Sequence, residues 1–286
     1  MFIRIKHTSI YEYASLVCDS VNEVRMIPRS GPLQRRWKHS LSITPDAEVY
    51  SFKDFYLNGV YVVEVSEKHQ RLEVVSDSLV ESLPDDRELD DRYFPRDRLR
   101  EDLVDENIYD FLADSTYVFK DPDIWKLSVD ALDGEVDCIW KAALRFCDFI
   151  HQHFEYKPES THVESRLADI LQLKKGVCQD FAHVMLGMCR VQEIPARYVS
   201  GYFYNPEREH EAQASHAWVE VYIPGEGWVG LDPTHKRRVD ETYVKVAVGR
   251  DYRDVPPVSG TYRGTSNRTL IVDVRVTRPQ LSELPA

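Results

Sequence analysis

The first eighty residues alternate apolar and polar positions, a pattern typical of strands with one buried face. It predicts six strands, at 3–13, 22–27, 38–43, 49–55, 60–65 and 71–75. The breaks between them, including Gly31-Pro32, Pro45 and Asn58-Gly59, have the spacing of turns in an antiparallel β-sandwich. Near residue 85 the composition becomes strongly charged and the period changes. We therefore predict a β-sandwich domain at 1–85 and a second domain at 86–286.

The second part begins with helical periodicity. Apolar residues recur every three or four positions from Ile139 to Phe154, which indicates one buried helix face. Two more helices are predicted, at 163–173 and from Cys178 to about residue 188. Strands are predicted at 197–204, 216–223, 228–231, 243–248 and 269–276. Helices followed by an antiparallel sheet indicate an α+β fold, in which the last strand trails behind the core.

Charge and hydropathy exclude several classes of partner. The 286 residues have a formal charge of −12, which disfavours nucleic acid and anionic lipid because both are bound through surplus Lys and Arg. No apolar run approaches the roughly 20 residues of a membrane span, and the N-terminus alternates like a strand instead of forming a signal peptide. The acidic stretch at 85–123 is by default a solvated surface, although it could favour basic substrates.

The sequence has five cysteines, an odd number, which are widely spaced and form no C-x-x-C pair. A disulfide scaffold is therefore not expected. They are Cys18, Cys138, Cys147, Cys178 and Cys189. A reducing compartment fits this usage, and we expect a cytoplasmic protein. The pattern gives no information on the oligomeric state.

One of these cysteines lies where a helix is predicted to begin. In Gly176-Val177-Cys178-Gln179, the unpaired N–H groups and the partial positive charge of the helix start favour the thiolate form of Cys178. The backbone N–H of the same residue can also donate to an oxyanion formed at an attacked carbonyl. Cys178 is therefore the candidate nucleophile.

A base and a carboxylate follow on a predicted hairpin. His216 opens one strand and Asp232 closes the next, with a turn at 224–227 between them. Neighbouring strands bring the two residues together, so that the carboxylate can fix the tautomer of the imidazole. Singly, a cysteine, a histidine or an Asp-Pro turn is usually structural. Jointly, the three positions predict a Cys-His-Asp relay.

Metal or cofactor chemistry is not expected. His210 and Glu211 precede His216 in a polar loop, but their spacing is poor for zinc, and no calcium-binding D-x-D-x-D-G loop is present. His183 and Cys189 are predicted to be core or flanking residues of the helix that starts at Cys178.

Four motifs resemble the bacterial transglutaminase-like proteins of the papain-like cysteine peptidase superfamily. They are Gly-Val-Cys-Gln-Asp-Phe-Ala-His at 176–183, Ile-Pro-Ala-Arg-Tyr-Val-Ser-Gly-Tyr at 194–202, His-Ala-Trp-Val-Glu-Val at 216–221 and Gly-Trp-Val-Gly-Leu-Asp-Pro-Thr at 227–234. Residues 249–257 resemble the segment that follows them, and residues 7–29 resemble the family's N-terminal β domain. The resemblance covers nearly the whole chain.

The resemblance implies roles for particular residues. It assigns the triad to Cys178, His216 and Asp232, and it makes Tyr156 a candidate second oxyanion donor, with a half-buried strand aromatic as the alternative. His235 stands where the family often has Asn, and Phe-Tyr-Leu-Asn at 55–58 replaces a more usual Phe-Gly-Asn turn.

The candidates for a substrate cleft are Gln179, Trp218 and Tyr202. Aromatic residues on strands pack in cores more often than they line clefts. This applies to Trp218 and Tyr202, and also to Trp228 and Tyr204. Both alternatives stay open at the level of sequence.

The relay predicts attack on a peptide or protein amide through a thioacyl intermediate. Resolution by water would make the protein a peptidase, isopeptidase or amidase, whereas resolution by an amine would make it a transglutaminase. We favour water, because it is always present and no amine-binding feature is visible. A glycan-releasing amidase acting on asparagine-linked sugars would use the same relay. An inactive scaffold whose β domain docks a partner is the alternative from another class.

Overall fold

The computed structural model describes residues 1–134, 136–158, 167–209 and 214–284. In chain order the strands are β1 (Phe2–Val24), β2 (Gln34–Thr44), β3 (Glu48–Lys53), β4 (Gly59–Val65), β5 (His69–Ser82), β6 (Glu155–Tyr156), β7 (Lys175–Gly176), β8 (Ala196–Phe203), β9 (His216–Ile223), β10 (Gly227–Asp232), β11 (Arg237–Arg238), β12 (Tyr243–Gly249), β13 (Val258–Arg263) and β14 (Arg268–Thr277). The helices are α1 (Leu99–Asp102), α2 (Glu106–Tyr109), α3 (Pro122–Leu132), α4 (Ile139–His153), α5 (Leu167–Leu173) and α6 (Cys178–Val191). Within these ranges, every helix is too short or too polar to span a bilayer.

The first sheet is organised around β1. Its first half pairs with β5 and β14, and its second half pairs with β4 and β13, always antiparallel. The pairing register shifts between Glu12 and Val17, and Asp19 has a positive φ of 50°, so the strand bends between its halves. The two halves enclose an apolar cluster that includes Tyr11 and Val63.

The bend corrects one prediction. The predicted strands 3–13 and 22–27 belong largely to the single strand β1, which ends at Val24. No Gly or Pro interrupts residues 14–21, so the chain bulges there and pairing resumes. The other predicted strands overlap observed strands, and the α+β class with an N-terminal antiparallel sheet is confirmed.

The second sheet has the order β11-β10-β9-β8-β12. Helix α6 packs against β9 and β8 on one side and against α3, α4 and α5 on others. Because it packs against neighbours on several sides, α6 is buried along almost its whole length, from Asp180 to Arg190. The helix predicted at 163–173 is present as α5 from Leu167, and residues 163–166 lie outside the described residues.

The N-terminal sheet is fixed to strand β12 by polar contacts. The Asn58 side chain donates to the Val248 carbonyl at 2.8 Å and accepts from the Val248 N–H at 2.9 Å. The Gln34 side chain accepts from the Lys245 N–H at 2.7 Å, and the Arg29 N–H donates to the Lys245 carbonyl at 3.0 Å. These bonds satisfy backbone groups of β12, which is the edge strand of the second sheet. The predicted domain boundary near residue 85 stays a prediction.

Candidate active site

Cys178 is the first residue of α6, as predicted. The preceding Val177 is extended, and its N–H donates to the Asp180 carboxylate at 2.8 Å. Gly176 permits this contact, because a Cβ there would lie 2.6 Å from an Asp180 oxygen. The fixed first turn leaves Cys178 half-buried at the positive end of a helix of fourteen residues.

His216 and Asp232 lie on adjacent strands of one hairpin. The β9–β10 register pairs Val219 with Leu231, so His216 at the start of β9 lies near Asp232 at the end of β10. His216 Nε2 is 2.7 Å from Asp232 Oδ2. The His216 side chain also forms a hydrogen bond with Cys178. Because Nε2 faces the carboxylate, Nδ1 is the nitrogen left for the sulfur, and the three side chains form one hydrogen-bonded chain.

Among the three hydrogen-bonded side chains, that of Asp232 is the most enclosed, because it is fully buried. Its Oδ2 also accepts from the Tyr243 hydroxyl at 2.7 Å and lies 2.7 Å from His235 Nδ1. Its Oδ1 accepts from the Thr234 N–H at 2.8 Å. Burial alone would raise the pKa of Asp232, but the hydrogen bonds from His216 and His235 hold it well below its ordinary value. The carboxylate therefore stays charged and orients the imidazole.

His216 is correspondingly held in its charged form. Burial lowers the pKa of this imidazole, but hydrogen bonds to Asp232 and Cys178 and the negative charges of both partners raise it to about 10. An imidazolium facing a sulfur is the ion-pair arrangement of a thiol nucleophile.

We expect His216 to keep its proton through neutral pH and to lose it near pH 10. The partners raise the pKa, so the imidazolium is present below that value and disappears above it. Alkylating Cys178 with iodoacetamide removes one negative partner and should lower the pKa of His216. Nitrogen-detected NMR titration of the imidazole, before and after alkylation, measures both effects. A midpoint near the ordinary value of about 6.5, unchanged by alkylation, would contradict the ion pair.

His216, Asp232 and His235 also form a cluster whose ligand atoms lie within 4.8 Å of one another. Both ring nitrogens are at hydrogen-bond distance from the same carboxylate oxygen. Hydrogen bonding accounts for this cluster without a metal. His210 and Glu211 lie outside the described residues.

Tyr156 lies close to the nucleophile. It pairs with Gly176 between β6 and β7, and its ring is half exposed and packs edge to face on Phe181 at 6.3 Å. Burial and the negative charge of Cys178 raise the pKa of its hydroxyl, which therefore stays protonated and able to donate. Gln179 is half-buried beside Cys178 in the first turn of α6. Their predicted roles fit these positions and stay predictions.

Two predicted cleft residues are in the wrong place for that role. Trp218 is 1% exposed and stacks behind His216, with ring centroids 6.2 Å apart. Tyr202 is 3% exposed, and its hydroxyl is hydrogen-bonded to His7 of β1 at 2.8 Å. Both are core residues, because neighbouring elements cover the strands that carry them.

The remaining thiols and His183 have structural positions. Cys138, Cys147 and Cys189 are buried, and Cys18 lies on β1, far along the chain from the site. The Cys147 thiol donates to the Asp232 carbonyl at 3.4 Å. His183 is buried and accepts from the Tyr252 N–H at 3.2 Å, in agreement with the predicted core role.

Tyr243 is the site residue that sequence analysis missed. It opens β12, which pairs with β8 and not with β10, and its ring lies edge to face on Trp218 at 5.3 Å. Gly201, opposite His216 in β8, makes room for Trp218, because a Cβ there would lie 2.5 Å from the indole ring. Only the order of the strands reveals these contacts.

Comparison with known proteins places this geometry in a family. The model of the transglutaminase-like superfamily core matches residues 129–233, which include all three members of the hydrogen-bonded chain. The model of the bacterial transglutaminase-like N-terminal region matches residues 3–81. An uncharacterized protein of Mycobacterium leprae is 31% identical over 281 residues, covering 96% of this chain and 98% of that protein. The chain belongs to the transglutaminase-like superfamily.

Other matches extend this placement. A protein-glutamine gamma-glutamyltransferase of Pseudomonas aeruginosa is 32% identical over 130 residues, which is 41% of this transglutaminase-like chain and 19% of that enzyme. The solved structure of a candidate cysteine protease from Cytophaga hutchinsonii superposes with a TM-score of 0.78 at 24% identity, covering 100% of this chain and 93% of that one. The shared fold extends over the whole of this chain.

Proposed function

We propose that this transglutaminase-like protein is a cysteine-dependent amide hydrolase that acts on peptide or protein substrates. The observation that supports the proposal is the hydrogen-bonded chain from Cys178 through His216 to Asp232, with the sulfur at a helix N-terminus. Each member has the environment that its role requires. An inactive scaffold would have no need for a buried charged carboxylate behind a charged imidazole.

In the proposed first step, the Cys178 thiolate forms a bond to the amide carbonyl carbon, and the carbonyl electrons move to oxygen. The backbone N–H of Cys178 and the Tyr156 hydroxyl are the proposed donors to that oxyanion. The imidazolium of His216 then gives its proton to the departing amine, and the C–N bond breaks. The product is a thioester on Cys178 and a free amine.

In the second step, neutral His216 takes a proton from water, whose oxygen attacks the thioester. The acid product leaves, and the thiolate and imidazolium are restored. Asp232 keeps its charge throughout and stabilises the imidazolium at both stages.

Transfer to an amine is the second candidate, and the similarity to the Pseudomonas aeruginosa glutamyltransferase supports it. Both candidates pass through the same thioester and differ in the group that resolves it. We favour hydrolysis, because water reaches any open thioester without a dedicated site. No described feature favours a glycan-releasing amidase.

The test uses benzyloxycarbonyl-Gln-Gly and a casein digest as probes, in ¹⁸O-labelled water, with and without cadaverine. Hydrolysis predicts cleaved or deamidated products that carry the heavy oxygen, in amounts that cadaverine changes little. Cadaverine adducts as the main products would instead identify a transferase. If the protein releases no product and Cys178 is alkylated no faster than Cys18, the scaffold hypothesis would replace the enzyme.

A further inference from the structure

A large cavity lies where the segments that follow β1 and β5 approach the second sheet, and Cys178 is not among its lining residues. Its volume is about 810 Å³, and its walls include residues 29–34, residues 84–87 and the sheet residues Arg197, Trp228 and Lys245. That volume is within the roughly 300–1,000 Å³ of small-molecule sites.

One wall holds three cations around one carboxylate. Glu220 is buried and accepts from Arg197 at 2.7 Å and also from Lys245. The Arg29 guanidinium donates to two neutral oxygens, the Tyr56 carbonyl at 2.9 Å and the Asn58 side chain at 2.6 Å. Among the residues that the structure describes, no carboxylate forms an ion pair with Arg29. These three cations and Glu220 together carry two more positive than negative charges, and Asp54, which also attracts Arg29, lies 3.6 Å from Arg25.

The acidic residues of the cavity do not cancel this excess. Asp85 is itself shared between Arg87 at 2.6 Å and Arg238 at 2.7 Å. Glu226 is paired with Arg92 at 2.6 Å, and Asp86 is exposed to solvent. A positive wall is unexpected in a chain with a net charge of −12.

The positive side chains repel each other. Burial lowers the pKa of Arg29, and the nearby charge of Arg197 lowers it further. Burial likewise lowers the pKa of Lys245, against the attraction of Glu220. Grouping partly buried cations without enough carboxylates costs stability, and an anion between them would offset that cost.

A smaller cavity of about 90 Å³ shares wall residues such as Leu33 and Asp85 with the large one and also has Trp218 and Tyr243 in its walls. The Trp218 indole N–H is buried there and, within the described ranges, has no hydrogen-bond acceptor. Polar ligand atoms entering from the large cavity would satisfy this donor.

We propose that the cavity binds a small dianion bearing phosphate or carboxylate groups, held by Arg29, Arg197 and Lys245. Guanidinium groups pair with both kinds of oxyanion through two parallel hydrogen bonds. The Trp228 ring, with the Arg197 guanidinium 4.2 Å from its centroid, provides an aromatic wall for the remainder of the ligand. This proposal is independent of the chemistry at Cys178.

The test is thermal unfolding and calorimetric titration of the full chain with inorganic phosphate, with succinate, and with sodium chloride at matched ionic strength. Phosphate or succinate should raise the melting temperature in a saturable way, because a ligand that binds only the folded state stabilises it. The more effective anion identifies the oxyanion class. Arg29→Gln should weaken binding about tenfold or more, since it removes a charged donor. Arg145→Gln, which removes an exposed charge on α4, should bind like the wild type.

A second measurement covers the case in which Arg29→Gln does not fold. Acetylation of the wild-type protein, followed by mass spectrometry, should show that the anion protects Lys245 but not the exposed Lys68. Equal responses to chloride and to the dianions, together with no protection of Lys245, would overturn the proposal. An Arg29→Gln variant that folds and binds as tightly as Arg145→Gln would overturn it as well.

Discussion

Replacing Cys178 by serine is expected to reduce amide hydrolysis by a factor on the order of 10⁴ or more. Serine is nearly the same size, so the hydrogen-bonded chain can persist while the nucleophile is lost. A hydroxyl gives up its proton far less readily than a thiol, so serine does not form the ion pair with His216 that makes Cys178 a ready nucleophile.

The measurement is the initial rate of product release, together with thermal unfolding to show that the variant is folded. Cys18→Ser is the matched control, because it removes another half-buried thiol that lies on β1. The control should retain the wild-type rate. If Cys178→Ser kept more than about a tenth of the activity, the thioester mechanism would be wrong.

Replacing Asp232 by asparagine should lower kcat/KM by roughly 10³- to 10⁴-fold. The carboxylate oxygen that accepts from His216 also accepts from Tyr243 and contacts His235. An amide has only one acceptor oxygen and places an NH₂ group against some of these donors. Loss of the negative charge should also lower the pKa of His216, which Asp232 helps to raise.

Two measurements separate this effect from simple damage to the fold. NMR titration should show the lower pKa of His216, and urea unfolding should show a cooperative transition. Asp148→Asn is the matched control, since Asp148 lies on α4 and is half exposed, 3.3 Å from Lys236. Wild-type kcat/KM for Asp232→Asn would exclude Asp232 from the relay.

The local elements of the site could be predicted because each follows from short-range patterns. Cys178 begins a helix, His216 begins a strand and Asp232 ends the next one, all as the periodicity indicates. The turn between the two strands is short, so their pairing follows directly from the sequence. Contacts within one hairpin are therefore accessible without a structure.

The contacts that the sequence did not predict depend on the order of strands in the sheet. Tyr243 reaches Asp232 from β12, beyond β9 and β8. Alternation shows that Trp218 and Tyr202 lie on strand faces but cannot show what covers those faces. In the structure, Tyr243 packs on Trp218, and His7 of β1 is hydrogen-bonded to Tyr202. The same reason explains why the periodicity predicted the last strand without revealing its partner, β1.

The pairing of β1 has a consequence for proteolysis. The chain leaves the first sheet at Ser82 and returns to it at Val258, and the strands on both sides of this excursion are hydrogen-bonded to β1. A protease cut at an exposed position such as Val104, which is 85% exposed, would thus separate the polypeptide into two pieces without separating the molecule. The first piece would keep β1, and the second would stay attached to it through β13 and β14, so a nicked protein would remain a single particle.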